Sequence, residues 1–171
     1  MAEKKTDEYV NILALDVEQS AANTLTFEEI QIGLNIFDKV GIVVNRLEFL
    51  INTTMVNEMT VAADKILAAL CTSNNITGLS IKNTEVVDMM QIHRFDLGAA
   101  ATGTLVDQPF IRDFSSFPGG GILIPPKPLY FAVDSSGLAN AGTVTCKISF
   151  VLKTLASDQY LELIETRRAF G

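Results

Sequence analysis

The stretch Thr143–Leu155, TVTCKISFVLKTL, decides the fold of this chain because its side chains alternate along the sequence. The even-numbered positions carry apolar side chains, namely Val144, Cys146, Ile148, Phe150 and Leu152. The odd-numbered positions include Thr143, Thr145, Lys147, Ser149 and Lys153. A period of two with β-branched and aromatic residues is typical of a strand with one buried face. The stretch therefore predicts a β strand whose even positions face a hydrophobic core.

Short apolar runs separated by turn residues fill the rest of the chain, which is the pattern of an all-β protein. Five of these runs predict further strands: Tyr9–Val17, Asn23–Gly33, Lys39–Ile51, Phe110–Phe114 and Leu129–Ser135. The run Lys65–Ser73 fits either a strand or a short helix, because Ile66 and Leu70 are also spaced as an i, i+4 pair. We expect an all-β fold, an antiparallel β-sandwich.

Two segments carry helical patterns. The first begins at Ser157, a good N-cap residue, and places three apolar side chains on one side of a C-terminal helix: Tyr160, Leu161 and Ile164. The second, Thr84–Phe95, is ambiguous and fits a short helix capped by Thr84, with Val87, Met90 and, as an option, Met89 facing inward. We expect short helices, including the C-terminal one, beside the strands.

Composition points to burial against other copies of the chain. The 171 residues are 48% hydrophobic and only 19% charged, and the mean hydropathy is +0.28. A typical soluble domain carries about 25% charged residues. Because no run approaches the roughly 20 apolar residues of a membrane helix, we expect no transmembrane segment. The excess apolar surface therefore favours a homo-oligomer.

Charge and cysteine content exclude several classes of protein. The net charge is −7 and the isoelectric point is about 4.6, whereas a dedicated nucleic-acid binder is basic. The polar N-terminus MAEKKTDEYV lacks the apolar core of a secretory signal. The two cysteines, Cys71 and Cys146, are far apart in apolar settings, which favours small buried side chains over a bridge between them.

The segment 115–137, SSFPGGGILIPPKPLYFAVDSSG, concentrates glycine and proline before a strand. A phosphate-binding loop would lead from its glycines into a helix, usually with Lys and Ser/Thr following. Here Gly119–Gly121 lead into Ile-Leu-Ile and then into Pro125 and Pro126, which cannot donate to a β ladder. The segment therefore predicts a corner where the chain passes between two sheets, close to a subunit contact.

No constellation of residues predicts an enzyme or a metal site. The single histidine, His93, lies among apolar residues and has no partner at triad or metal-ligand spacing. Three acidic pairs, Asp16/Glu18, Glu28/Glu29 and Asp107/Asp113, are expected to be solvated, although carboxylates for hydrolysis can also come from distant strands. We expect no catalytic residue, no cofactor and no metal.

The chain resembles a single jelly-roll viral capsid protein. The resemblance is carried by the early strand runs, the glycine-proline corner, the alternating strand and the C-terminal DQYLELIETRR. The resemblance implies one jelly-roll domain over residues 1–171 that acts as a coat subunit and self-assembles into a closed symmetric shell. It also implies a place in the virion, assembly inside the host cell, and contacts with itself and other virion proteins. The chain departs from many small capsid proteins in lacking a long basic N-terminal arm. That departure suits a shell lined by a membrane, by another protein, or by scattered cations such as Arg167 and Arg168.

A second function class is a trimeric β-sandwich binding head, as in a phage fibre or a carbohydrate-binding module. Such heads commonly expose aromatic rings, whereas this chain has no tryptophan and three tyrosines. For the coat subunit, the predicted contact lies in the corner and comprises Phe117, Gly119, Gly120, Gly121, Leu123, Ile124, Pro125, Pro126 and Leu129.

Overall fold

The computed structural model of the protein describes residues 9–34, 39–61, 63–94 and 109–169. Asp107 and the N-terminal lysines lie outside these ranges, as do the side chains of Ile164, Arg167 and Arg168. The described elements are β1 (Asn11–Glu18), β2 (Thr26–Ile30), β3 (Val40–Ile51), α1 (Thr53–Glu58), β4 (Lys65–Cys71), β5 (Val86–His93), β6 (Phe110–Asp113), β7 (Ile122–Ile124), β8 (Leu129–Ser136), β9 (Thr143–Thr154) and α2 (Ser157–Ala169).

The strands form two antiparallel sheets that pack face to face. One sheet has five strands in the order β1-β9-β3-β6, with β7 also pairing with β3, and the other has four in the order β2-β8-β4-β5. Because β6 and β7 are two halves of one interrupted strand position, the sandwich has four strand positions in each sheet. The chain crosses from sheet to sheet except between β4 and β5 and between β6 and β7, and its last strand lies beside its first, which is the jelly-roll arrangement. The predicted fold class is confirmed.

The alternating stretch is β9, the strand between β1 and β3. Its even positions face the core as predicted: Val144, Cys146, Ile148 and Phe150 are buried, and Leu152 packs against the same cluster. Thr145, Lys147 and Ser149 face the opposite side of the sheet. Because β9 is paired along both edges, it anchors the five-stranded sheet.

The core between the sheets is centred on two phenylalanines. Phe49 of β3 and Phe131 of β8 are both fully buried, and their rings meet edge to face with centroids 6.1 Å apart. Edge-to-face contact is a favoured aromatic geometry, because the positive ring edge meets the negative ring face. The pair therefore joins the two sheets at the centre of the sandwich.

A second, smaller apolar cluster covers the outer face of the four-stranded sheet. Ala69, Cys71 and Ala132 are fully buried there, on the side of the sheet away from the main core. Ile76 and Leu79, from the connection between β4 and β5, pack over them. This sheet is therefore covered on both faces over part of its area.

The segment Lys65–Ser73, left open between strand and helix, forms strand β4, and the helix considered for Thr84–Phe95 was wrong. Within the latter segment, Val86–His93 form the edge strand β5, which pairs with β4, and Phe95 lies outside the described residues. A bulge shifts the register between Leu70 and Cys71, so that Leu70 faces Asp88 and Cys71 faces Val86. The extra residue, Val87, packs into the main core together with Met90. A bulge thus produces an i, i+3 spacing of buried residues that imitates a helix.

The two helices are short and lie at chain turns. The C-terminal helix α2 is confirmed and begins at Ser157, and Tyr160 is its buried anchor. Leu161 was expected on the same face but projects into solvent. Helix α1 was not predicted: Asn52 caps it, with its side-chain oxygen accepting a hydrogen bond from the Thr54 amide at 2.9 Å.

Candidate assembly surface

The glycine-rich corner interrupts the strand position beside β3. Strand β6 pairs with Arg46–Phe49 and β7 pairs with Ile42–Val44, so both halves run along the same side of β3. The residues between them, 114–121, leave the sheet and then return to it. The glycine-rich part of the corner, residues 114–121, is therefore a loop built into an edge of the five-stranded sheet.

Strand β3 has a bulge at Asn45, where its pairing with β9 shifts register between Val44 and Arg46. This bulge and the glycines of the loop hold the loop in place. The Asn45 carbonyl accepts a hydrogen bond from the Phe114 amide at 2.8 Å, and the Asn45 side chain donates to the Gly120 carbonyl at 2.5 Å. Gly119 and Gly120 have φ angles of +86° and +81°, a region that favours glycine. Gly121 instead lies tightly against the β3 backbone. Gly119 and Gly120 therefore provide the backbone conformation of the loop, and Gly121 permits its close approach to β3.

Gly121→Ala is expected to destabilise the subunit by about 1–3 kcal/mol, because the added carbon overpacks the loop. A Cβ at this position would lie 2.3 Å from the Val44 carbonyl oxygen, a backbone atom that cannot move without disturbing β3. Gly78→Ala is the matched control, since a Cβ there meets nothing within 4 Å. Urea denaturation measures both variants. Equal stability of the two would contradict this account of the loop.

The prolines after β7 carry the chain from one sheet to the other. Ile124 ends β7 in the five-stranded sheet and Leu129 begins β8 in the four-stranded sheet. Between them the Lys127 amide donates to the Pro125 carbonyl at 2.7 Å, which tightens the turn. The predicted corner between two sheets is confirmed.

The nine residues predicted as a subunit contact include some that are buried within the subunit and some that are exposed. Four of them are buried within the subunit: Ile124, Pro125, Pro126 and Leu129. Phe117 is 48% exposed and Leu123 is 36% exposed. The Phe117 ring packs against the edge or face of the Phe114 ring, with the ring centroids 5.6 Å apart. A contact at this corner would therefore be made by the loop around Phe117 and by Leu123, and its existence stays a prediction.

The outer face of the five-stranded sheet carries several exposed apolar side chains. Four of the ten exposed large hydrophobic residues in the described ranges project from this face: Ile12, Leu50, Ile111 and Leu123. Their orientation follows from register, since Ile111 lies opposite Glu48 and Leu123 lies opposite Val43, both outside the main core. We call this face, with the loop 114–121, the assembly surface.

A charged group lies in the middle of the assembly surface. The Glu48 carboxylate lies 3.1 Å from both the Arg46 guanidinium and the Lys147 ammonium. These side chains are partly exposed, so each pair stabilises the isolated subunit only weakly. Two cations around one carboxylate nevertheless fix the positions of the charges. The surface thus presents apolar patches around a defined polar centre.

Helix α2 covers one end of the assembly surface and leaves a groove beside it. The groove has a volume of about 370 Å³ and is lined by Leu123, Lys153, Leu155, Gln159, Glu162 and Leu163. Leu155 and Tyr160 are buried and attach the helix to the sheet. The Lys39 ammonium donates to the Ser157 hydroxyl at 2.9 Å, which holds the start of the helix.

The residues considered for catalysis lie apart from one another. His93 is exposed at the end of β5, where its ring contacts the Gln91 side chain. Asp16 accepts a hydrogen bond from the Thr145 hydroxyl at 2.6 Å. Hydrogen bonds from Ser115 lower the pKa of the exposed Asp113 carboxyl. Within the described ranges, no group of three or more His, Cys, Asp or Glu residues is placed to hold a metal ion. The absence of enzymatic activity stays a prediction.

The described helices include none that is long and apolar enough to span a membrane.

Both cysteines are buried as free thiols, as the apolar settings predicted. Burial raises the pKa of Cys71 to about 12, with a smaller contribution from the Glu85 carboxylate. Burial also raises the pKa of Cys146, with a smaller contribution from Asp16. In the unfolded chain both thiols are exposed to water and have the ordinary cysteine pKa of about 8.5. Both groups are therefore held in the protonated form by folding.

This shift predicts a loss of stability at alkaline pH. Above about pH 9 the unfolded chain releases thiol protons that the native state retains, so each thiol lowers the free energy of unfolding by about 1.4 kcal/mol per pH unit. The contribution is complete at pH 7 and is lost as pH rises toward the folded pKa. Urea denaturation at pH 7, 9 and 10 measures it. A Cys71→Ala, Cys146→Ala variant should fall less steeply with pH, and an identical decline in both proteins would contradict the prediction.

Comparison with known proteins gives a structural likeness but no family. No family model and no curated protein matches the chain. A solved structure described as "Bacillus endospore appendages form a novel family of disulfide-linked pili" matches with a TM-score of 0.35 and 12% sequence identity, covering 91% of this chain and 96% of that chain. A TM-score this low supports no argument, so the class of fold rests on the strand order alone.

Proposed function

We propose that this chain is a structural subunit, a viral coat protein, that assembles in many copies into a closed symmetric shell. The observation that carries the proposal is the assembly surface: an outer sheet face on which exposed Ile12, Leu50, Ile111 and Leu123 surround a fixed charged centre. Several exposed apolar side chains on one sheet face favour an interaction site there. The jelly-roll order is compatible with the proposal, but a fold hosts many functions and does not carry it.

Symmetry explains how such a surface drives assembly without strong pairwise contacts. A standard interface buries about 1,600 Å² in total, and apolar area contributes about 25 cal/mol per Å² before the loss of motion is subtracted. The free energy lost when two subunits give up independent motion is comparable to the free energy gained by burial, so a single contact between two subunits is weak. In a closed shell every subunit repeats each contact, and modest contacts together hold the particle. The low charged fraction of 19% suits repeated burial of this surface.

Negative-stain imaging of the purified full chain tests the proposal. We expect closed particles of uniform size. Isolated trimers would instead support the binding head, and a field of monomers would overturn both assemblies. Ile111→Lys, on the assembly surface, should reduce the number of particles, whereas Ile81→Lys should not, because Ile81 is exposed in the connection between β4 and β5.

A further inference from the structure

The four edges of the two sheets differ in how open they are to pairing. Strand β2 has five residues and carries Glu28 and Glu29, and β6 has four residues before the corner loop interrupts it. Edge strand β5 directs Asp88 inward, where the Arg112 guanidinium binds it at 2.7 and 3.0 Å. Short length, charge and inward-pointing charges all discourage pairing with another chain.

Strand β1 has none of these features in its first half. It is eight residues long, and the described strands pair with it on one side only, through β9. From Ile12 to Leu15 it carries no charge, proline or glycine. Tyr9, Val10 and Ile12 are exposed by 78%, 53% and 59% respectively. An edge of this length with an exposed apolar start is a template for another strand.

Fixed side-chain directions restrict how a second β1 could pair with this edge. Leu13 and Leu15 pack against the core, so Ile12, Ala14 and Asp16 project from the outer face. In a two-fold antiparallel pair, core-facing residues must lie opposite core-facing residues. One residue then lies on the two-fold axis, opposite its own copy.

Charge selects Ala14 for the axis. With Leu15 on the axis, the two Asp16 carboxylates would be diagonal neighbours about 7–8 Å apart. With Ala14 on the axis they lie four residues apart, about 13 Å along the strands and beyond the Debye length of about 8 Å. In that register Ile12 lies opposite Asp16, Leu13 lies opposite Leu15, and no like charges face each other. A register centred on Leu13 would overlap less of β1.

We propose that two copies of this chain join through β1 around a two-fold axis at Ala14, so that two five-stranded sheets form one continuous sheet. The partner is a second copy because the edge is self-complementary in side-chain direction and in charge. The inference rests on the proposed function, since it specifies one contact of the assembled shell. It also joins two assembly surfaces side by side.

Cysteine cross-linking of the assembled full chain tests this contact. Ala14→Cys places two sulfurs directly opposite each other, and mild oxidation should give a disulfide-linked dimer on a non-reducing gel. Asp16→Cys is the matched control: it projects from the same face of the same strand, but its copy lies about 13 Å away. The native thiols are buried and do not compete. Equal yields from the two variants, or no dimer from Ala14→Cys in particles that have assembled, would overturn the proposal.

A charge variant provides a second readout that separates this inference from the proposed function. Ala14→Glu places like charges directly opposite each other and should raise the concentration needed for assembly up to about fivefold, whereas Ile81→Glu should leave it unchanged. Assembly of Ala14→Glu at the wild-type concentration would overturn the β1 contact and leave the shell proposal standing. A wild-type protein that never assembles would overturn the shell proposal itself. Circular dichroism confirms that each variant is folded.

Discussion

Replacing Phe49 with alanine is expected to lower the free energy of unfolding by about 3–5 kcal/mol. Phe49 is fully buried and meets Phe131 across the sandwich, so truncation leaves a cavity at the junction of the two sheets. Domains of this kind are stable by only about 5–15 kcal/mol, and the loss is therefore a large part of the total. Urea denaturation of wild type and variant measures it.

The control for Phe49→Ala is Phe117→Ala, at the exposed tip of the corner loop. Its loss should stay under about 1 kcal/mol, because the ring is half exposed and its aromatic contact is with Phe114. A double variant of Phe49 and Phe131 should lose about 0.5–1.5 kcal/mol less than the sum of the two single losses, because each single variant already removes the contact between the rings. Equal losses at Phe49 and Phe117 would contradict the placement of the core.

Leu123→Asp is expected to abolish assembly while the subunit stays folded. Leu123 projects from the assembly surface beside Gly41 and the α2 groove, so a carboxylate there would be desolvated when a second copy covers it. In the free subunit the same carboxylate stays in water. Sedimentation and far-UV circular dichroism, measured on the same sample, separate assembly from folding.

The neighbouring residue provides the contrast. Ile124 is fully buried opposite Ile42, and Ile124→Asp should cost roughly 4–5 kcal/mol and unfold much of the protein. The two substitutions introduce the same side chain one residue apart and should differ in outcome. If Leu123→Asp assembled like wild type, the corner would not be a contact, and the nine-residue prediction would be wrong.

Features of the sequence that depend on a local period were predictable. The alternation of β9 fixes which of its side chains enter the core, and Phe150 and Ile148 are buried as the period requires. The prolines of the corner restrict the backbone and its glycines permit positive φ angles, and because both effects are local they could be predicted before the sheets were known. Two-sheet packing follows from many such strands with one buried face.

Features that depend on pairing between strands were not predictable. The bulge in β5 adds Val87 to one strand without a partner, and only the ladder with β4 shows that the segment is extended. Leu123 and Ile124 are equally apolar in sequence, and it is the register of β7 on β3 that directs one outward and the other inward. The exposure of β1 likewise depends on its place at the end of the sheet, which no residue in β1 encodes by itself.

Sedimentation velocity of the wild-type full chain, across micromolar concentrations and several salt concentrations, distinguishes a closed shell from a free subunit. A closed particle of many copies should give a fast boundary whose sedimentation coefficient does not change once the particle has formed. A single slow boundary of the 18.6 kDa monomer under all of these conditions would contradict the proposed shell.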